Sequence, residues 1–465
     1  MVVGEIPEST GVLVIGAGPG GYVAALRAAA AGKAVTLVER DAVGGACLNV
    51  GCIPSKALIA VAERFHQAGN GATFGVRAEP ELDWSALQAF LRRSVVELTA
   101  GVHQLLSSAR VNVLSGTARF VSPTRVAVEG ANGVRHLEFD DCILATGSRP
   151  MELAALAVDG VRVVDSTGAL FLQQRPDSVA VVGGGYIGVE LGTALAKLGV
   201  RVAIVERAER LLPELDASLG SVVGRRLAQL GVAVHTKRSA VGMSAEGLQL
   251  DDGVVLEAEH VVVAVGRVPN SDGLGLDHVG VRPRQDGRLE VGPDRRLARH
   301  LFAIGDLTDG PGLAHKATAE AEVAVAALCG ERAIFDPTVI PAVVFSDPEI
   351  ATVGLTRQQA EAAGVASRSF RFPLAANARA RLDGEVGGHC EMVVDDAGTV
   401  IGVHLVGPHV SELAGEAALA IEMAATVEEL TAVIHPHPTV SESLSEAGWG
   451  VMGRALHVHR LGARS

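Results

Sequence analysis

The stretch STGVLVIGAGPGGYVAALRAAAAGKAVTLVER, Ser9 to Arg40, reads as four pieces in succession. An apolar run suits a buried strand. A glycine turn interrupts it, an Ala-rich segment suits a helix, and a second apolar strand ends in Glu39 and Arg40. The same order returns at DSVAVVGGGYIGVELGTALAKLGVRVAIVER, Asp177 to Arg207. Gly16, Gly18 and Gly21 spell G-x-G-x-x-G in the first copy; Gly183, Gly185 and Gly188 do so in the second. The closing acids, Glu39 and Glu206, each lie 23 residues beyond the first glycine (39 − 16 and 206 − 183). Alone the motif is weak. Between strand and helix, with an acid ending the next strand, it is the signature of a dinucleotide fold. The glycines permit a tight turn, close backbone approach to a pyrophosphate and helix-on-strand packing. The helix amino terminus then offers free N–H groups, and the acid can accept from a ribose diol.

Working outward, HLEFDDCILATGSRP (His136–Pro150) and LEAEHVVVAVGRVPN (Leu256–Asn270) are each an apolar strand entering a glycine turn, followed by Arg and Pro. Each can close one dinucleotide unit. LFAIGDLTDGPGLAHKA, from Leu301 to Ala317, adds a strand ending in Gly305-Asp306 and then a helix. From about Ile340 the pattern becomes antiparallel strands, VVFSDPEIATVGLT and CEMVVDDAGTVIGVHLVG, followed by the amphipathic helix VSELAGEAALAIEMAAT. This predicts a separate α+β domain.

Composition bounds the function. The 465 residues exceed one ordinary core, and 48% hydrophobic residues suffice for several. A net charge of −13, without a Lys/Arg run, argues against nucleic-acid binding. MVVGEIPEST is acidic and polar, unlike a signal peptide, and no run of eighteen apolar residues is free of charge. The expectation is a cytoplasmic, reducing compartment and no membrane span.

In that compartment GGACLNVGCIPSKAL, Gly44–Leu58, calls for explanation, since it holds two of only five cysteines. A permanent staple is disfavoured there. An ideal helix would hold Cys47 and Cys52 roughly 8–9 Å apart, whereas a disulfide needs Cα atoms about 4.4–6.8 Å apart. The pair can therefore bond only if Leu48–Gly51 is a loop or a distorted turn. Pro54 suits the first turn of a helix. Structural zinc wants shorter spacing and a second pair of ligands; Cys142, Cys329 and Cys390 are scattered, and no metal is expected. A redox couple is the third reading. IHPHPTVSES supplies what such chemistry needs, a base in His437 and a carboxylate in Glu442 to orient it. His435 reads as a turn or surface histidine.

Taken together, GAGPGGYVAALRAA, GGACLNVGCIPSKAL, ATGSRP, VVGGGYIGVELG, AVGRVPN, FAIGDLTDGPGLAHKA and HPHPTVSES resemble the pyridine nucleotide–disulfide oxidoreductase family over essentially the whole chain. GPGLAHKA and HPHPT-x-SE resemble its lipoamide branch. Ala46 and Pro436 stand where that branch commonly has Thr and Ala, and neither removes a reacting group. The resemblance implies an α/β fold: two Rossmann-like dinucleotide-binding domains plus a C-terminal α+β dimerisation domain. It divides the chain into FAD-binding residues 1–150 and 276–340, NAD-binding residues 151–275 and interface residues 341–465. Gly16, Gly18, Pro19, Gly20 and Gly21 would hold the FAD pyrophosphate and Glu39 its ribose. Arg40, Gly45, Lys56, Ala118, Thr146, Gly147, Gly305, Asp306 and the backbone of Leu313, Ala314 and His315 would line the same cofactor. Gly183, Gly185, Tyr186, Ile187, Gly188, Glu206 and Gly266 would form the NAD site, with Tyr186 a candidate gate. Glu206 favours NAD over NADP, with Arg207 and Arg210 nearby. Cys52 would face the flavin, Cys47 the substrate, and Lys56 would pair with Glu190. His437 and Glu442 would come from the partner subunit of a homodimer. The implied reaction is oxidation of dihydrolipoyl groups carried by another chain of a 2-oxo acid dehydrogenase-type complex. An NADPH-dependent glutathione-type reductase and a flavin-binding scaffold are the alternatives.

Overall fold

The computed structural model describes residues 8–458. The first glycine-turn unit forms as its sequence dictates: strand Glu8–Ile15, helix α1 (Pro19–Ala30) and strand Val35–Glu39. Val12, Leu13 and Val14 are fully buried, as a strand covered on both faces requires. This strand pairs in parallel with Val35–Glu39 on one side and with Gly133–Leu144 on the other. The chain therefore changes direction in the sheet at the carboxyl end of its first strand, the place where such sheets bind ligands. Strand Asn112–Ser115 extends one edge, and Leu301–Ala303 joins Gly133–Leu144 in parallel on the other. Between Val35–Glu39 and Asn112–Ser115 come α2 (Gly45–Val50), α3 (Cys52–Gly69) and α4 (Trp84–Ser108).

The second unit repeats the plan. Ser178–Val182 lies between Arg201–Glu206 and His260–Val263, all parallel, with α5 (Tyr186–Lys197) after its glycine turn and α6 (Ala217–Gln229) after its second strand. The ATGSRP and GRVPN segments meet as a two-stranded antiparallel ribbon, Ser148–Pro150 with Arg267–Pro269. The chain then returns to the first sheet, where α7 (Ala314–Leu328) packs on α1 through Ala24, Ala25, Ala28, Ala321 and Ala324. Alanine on both faces lets the two helices approach closely.

The last domain is a five-stranded antiparallel sheet in the order Ala342–Val344, Glu349–Gly354, Val400–Gly407, His389–Asp395 and Ser367–Pro373. The amphipathic segment becomes a short 3₁₀ turn followed by α8 (Ala414–Glu422), and α9 (Glu442–Val451) packs on the same core. The largest apolar cluster joins all three domains, with Leu58 and Ala62 of α3, Leu191 and Leu195 of α5, and Val344, Ile350 and Val406 of the antiparallel sheet.

One expectation needs correction. By length and composition alone, Gly45–Gly69 is apolar enough to cross a membrane. Here it is broken at Gly51, buries Leu58 and Ala62, and places Lys56 and Glu63 in ion pairs. Truncating Phe302, fully buried in the first core, should lower stability by about 3–5 kcal/mol; a fall in the thermal unfolding midpoint of Phe302→Ala checks this.

Candidate active site

The two glycine turns are near copies. Gly16 sits at φ +99°, and a Cβ there would lie 2.4 Å from the Ala145 carbonyl oxygen. At Gly21 a Cβ would come within 1.8 Å of the Gly16 carbonyl oxygen. The corresponding distances are 2.3 Å at Gly183, against Ala264, and 2.0 Å at Gly188, against Gly183. Gly18 and Gly185, the residues that cap α1 and α5, have nothing within 4 Å of where a Cβ would stand. Each thus opens a space at a helix amino terminus, a fit for a pyrophosphate. Pro19 begins α1 and Gly20 packs against Ile304 and Ala317. Gly45, at φ +58°, lies over Gly18, where a Cβ would meet its Cα at 2.6 Å.

The acids are preorganised by the same turns. Glu39 accepts from the Ala17 N–H at 2.6 Å and from the Asp41 N–H at 2.8 Å. Glu206 accepts from the Gly184 and Ala208 N–H groups, both at 2.6 Å. A carboxylate has about four acceptor sites, so two are left for ribose hydroxyls. Arg40 is exposed and turns to Asp41. Arg210 donates to the Leu212 and Pro213 carbonyls, which leaves Glu206 unneutralised by it and the site hostile to a 2′-phosphate.

Other predicted residues take varied places. The Ala118 side chain is buried in the core, so only its backbone can face a cofactor. The Thr146 hydroxyl is committed to the Asn270 carbonyl at 2.7 Å, and the Asn270 amide returns a bond to the Thr146 carbonyl. Gly147 turns the chain at φ +65°. Asp306 accepts from Ser148. Leu313 and Ala314 begin α7, and the His315 Nε2 lies 2.8 Å from the Pro341 carbonyl oxygen. Tyr186 opens α5 and is 41% exposed, Ile187 packs behind it against the apolar core, and Gly266 turns at φ +132°.

A buried network that the sequence reading missed holds the Gly305–Asp306 turn. Glu320, fully buried, accepts from the Gly305 N–H at 2.6 Å, from Thr308 at 2.8 Å and from Arg295 at 2.9 Å. Lys316, 1% exposed, donates to the Gly305 carbonyl at 3.0 Å. The available signal was a Lys and a Glu four apart in an otherwise apolar helix.

The cysteine segment resolves the spacing problem by breaking the helix. Cys47 lies in α2, Gly51 takes φ −136°, ψ −108°, and Cys52 starts α3. Both are thiols, and the Cys47 S–H donates to Cys52. That hydrogen bond, followed by the charge of Lys56, outweighs burial and brings Cys52 down to about 7. The Cys47 thiol is pushed well up, because its proton is held by Cys52. Lys56 is four residues along α3, on the same helix face. It pairs with Glu190 at 2.8 Å and lies 4.6 Å from the centre of the Phe345 ring. The second Glu190 oxygen accepts from the Phe345 N–H at 2.9 Å. The site is thus a polarised dithiol with a designated thiolate.

His437 and Glu442 also meet, with Nδ1 2.9 Å from Oε1, and the other carboxylate oxygen accepts from the Thr439 N–H at 2.9 Å. Burial pushes the Glu442 carboxyl up, but the Thr439 and His437 hydrogen bonds outweigh it and its pKa is lowered. The His437 side chain is 70% exposed. Among the described residues no hydrogen bond or ion pair joins it to Cys47 or Cys52. His435 is not a surface residue: its side chain is 5% exposed, 2.9 Å from Glu416 and 2.6 Å from Ser445.

The comparisons agree with this geometry. Residues 10–321 match the model of the pyridine nucleotide-disulphide oxidoreductases, and residues 340–448 match that family's dimerisation domain. The chain belongs to the pyridine nucleotide-disulphide oxidoreductase family. It is 43% identical to a dihydrolipoyl dehydrogenase of Halobacterium salinarum, over 98% of this chain and 99% of that one. It is 42% identical to that of Bacillus subtilis, over 98% and 100%. Among solved structures it resembles LpdA from Mycobacterium tuberculosis, with a TM-score of 0.89 and 31% identity over 95% and 100% of the two chains. It also resembles the flavoprotein disulfide reductase RclA of Escherichia coli, at 0.87 and 25% over 96% and 100%. The chain is accordingly a flavoprotein disulfide oxidoreductase that uses FAD and NAD and carries a homodimerisation domain.

Two outcomes follow. Gly188→Ala, which forces a Cβ onto the Gly183 carbonyl, should abolish NAD+ binding while the flavin spectrum persists, as calorimetry and absorbance on one sample will show. In the chemically reduced enzyme the Cys52 thiolate should protonate as pH falls through about 7. Lys56→Met removes the cation that favours the charged form, so the midpoint of the thiolate–flavin absorbance should move to higher pH.

Proposed function

We propose that this oxidoreductase is a dihydrolipoyl dehydrogenase, oxidising dihydrolipoyl groups through a Cys47–Cys52 disulfide and FAD with NAD+ as acceptor. The observation that carries the reading is the polarised Cys47–Cys52 pair beside Lys56–Glu190. Likeness over nearly the full length to dihydrolipoyl dehydrogenases supports the choice of substrate.

In the oxidised form, His437 takes the proton of one lipoyl thiol. The resulting thiolate attacks the Cys47 sulfur, the Cys47–Cys52 bond breaks, and Cys52 leaves as a thiolate opposite Lys56. The first proton passes from His437 to solvent. His437 then takes the proton of the second lipoyl thiol, whose sulfur attacks the lipoyl sulfur bound to Cys47. That closes the lipoyl disulfide and expels Cys47, which recovers the proton from His437. The dithiol has lost two electrons and two protons; the enzyme holds a Cys47 thiol, a Cys52 thiolate and the electron pair. The chemistry FAD supplies when bound is the transfer of that pair to NAD+ as hydride.

Glu442 stabilises the imidazolium and fixes its orientation. We assign His437 and Glu442 of one subunit to Cys47 of the other; the exposure of His437 and its place on the dimerisation domain support this. The lipoyl group comes from an acyltransferase or carrier chain of a 2-oxo acid dehydrogenase-type complex, and the enzyme works in the cytoplasm, where a reducing milieu suits a disulfide opened at every turnover.

Anaerobic addition of dihydrolipoamide to the purified yellow protein should produce the long-wavelength thiolate–flavin absorbance, and NAD+ should then yield NADH. A flavin left oxidised by dihydrolipoamide but reduced by NADPH, with glutathione as product, would overturn the assignment. His437→Gln should lower kcat with dihydrolipoamide by about 10²–10⁴-fold and leave flavin reduction by NADH intact.

A further inference from the structure

Helices α3 and α5 are joined by two ion pairs, not one. Lys56 of α3 pairs with Glu190 of α5; seven residues along each helix, Glu63 pairs with Lys197. The polarity reverses but the burial does not. The α5 members, Glu190 and Lys197, are both 5% exposed at the side chain, and the α3 members, Lys56 and Glu63, are 33% and 34% exposed.

One short segment of the antiparallel domain holds both buried ends. The Phe345 N–H donates to Glu190, and two residues on, the Asp347 carboxylate takes Lys197 at 2.7 Å. Asp347 is also held by Arg226 of α6 at 2.8 Å. Burial pushes the Asp347 carboxyl up, but these two cations outweigh it, so its pKa is lowered and it remains an anion. His66 of α3, 3.4 Å from Arg226, and Glu385 of the antiparallel domain complete the charged groups around this second rung. Burial brings the Glu385 carboxyl up to about 7. A buried ammonium held by two carboxylates is costly to leave unpaired, so the second rung resists sliding of α3 along α5. Cys52, Lys56 and Glu63 lie at i, i+4 and i+11 of one helix, on one face.

We propose that Glu63, Lys197 and Asp347 are positioning residues for the redox thiolate, the second rung fixing α3 against α5 so that Lys56 remains close to Cys52. The inference rests on Cys52 as the redox thiol and goes beyond the proposed substrate. A shift of the cation from about 4 Å to about 5 Å, at an effective dielectric near 20, changes a thiol's pKa by about half a unit.

The test is the midpoint of the thiolate–flavin absorbance in holoenzyme reduced with dithiothreitol, which does not depend on whether dihydrolipoamide is the substrate. Glu63→Gln separates positioning from simple charge. Deleting a distant negative charge by itself lowers the Cys52 midpoint; losing the register raises it. We expect Glu63→Gln to raise the midpoint by about half a unit, roughly a threefold weaker acid. Lys197→Met should raise it too, and Lys197→Arg should restore it. Adding Glu63→Gln to Lys56→Met should produce no further rise. A Glu63→Gln midpoint that is unchanged or lowered, or a rise that persists in full without Lys56, overturns the proposal. Glu63 is a third exposed and the substitution isosteric, so the result stands even if Lys197→Met fails to fold.

Discussion

Everything in the two nucleotide units depends on a helix backbone resting directly against a strand-end carbonyl. No side chain fits between Gly21 and Gly16, or between Gly188 and Gly183. That contact sets how far each helix amino terminus stands from the sheet. The acid at the end of the second strand then binds back to an N–H of the turn, to Ala17 in one copy and Gly184 in the other. Glu39 and Glu206 are therefore structural before they are ligands. Each closes its turn, and the oxygens it still offers are fixed relative to the helix that faces the phosphates.

The thiol chemistry is grafted onto this frame at a break in a helix. Gly51 separates α2 from α3, so Cys47 and Cys52 face each other instead of standing along one continuous helix. The same break places Cys52 in the first turn of α3, and Lys56 follows one turn later. Hydrogen bond and cation act in one direction on Cys52, while Cys47 retains its proton. A symmetric pair of thiols thereby acquires distinct duties.

Much of this was legible in the sequence, because it is written locally. The two glycine turns, the acid at a fixed offset, the change to antiparallel strands near Ile340 and the His437–Glu442 pair all lie within short windows. What escaped reading is long-range. Asp347 meets Lys197 150 residues away (347 − 197), and no periodicity encodes that meeting. His435 read as a surface residue because its partners, Glu416 and Ser445, come from helices whose packing a linear sequence does not reveal. The Thr146 hydroxyl was available on paper; in the fold the Asn270 carbonyl claims it. Lys316 and Glu320 looked like ordinary charges on a helix, and only the sheet above them makes them a buried clasp on the Gly305 turn.

The order of strands in the first sheet bears on how the chain is made. Leu301–Ala303 lies beside Gly133–Leu144, so the first unit is interrupted by the whole of the second. A ribosome adding about 5–20 residues per second delivers all five strands of the second sheet, ending at Val263, before the edge strand of the first exists. During vectorial synthesis the inserted unit can close first, while the segments before it wait with Cys142 and its apolar neighbours unsealed. Limited proteolysis of stalled nascent chains should find the later-encoded nucleotide unit protected ahead of the earlier one.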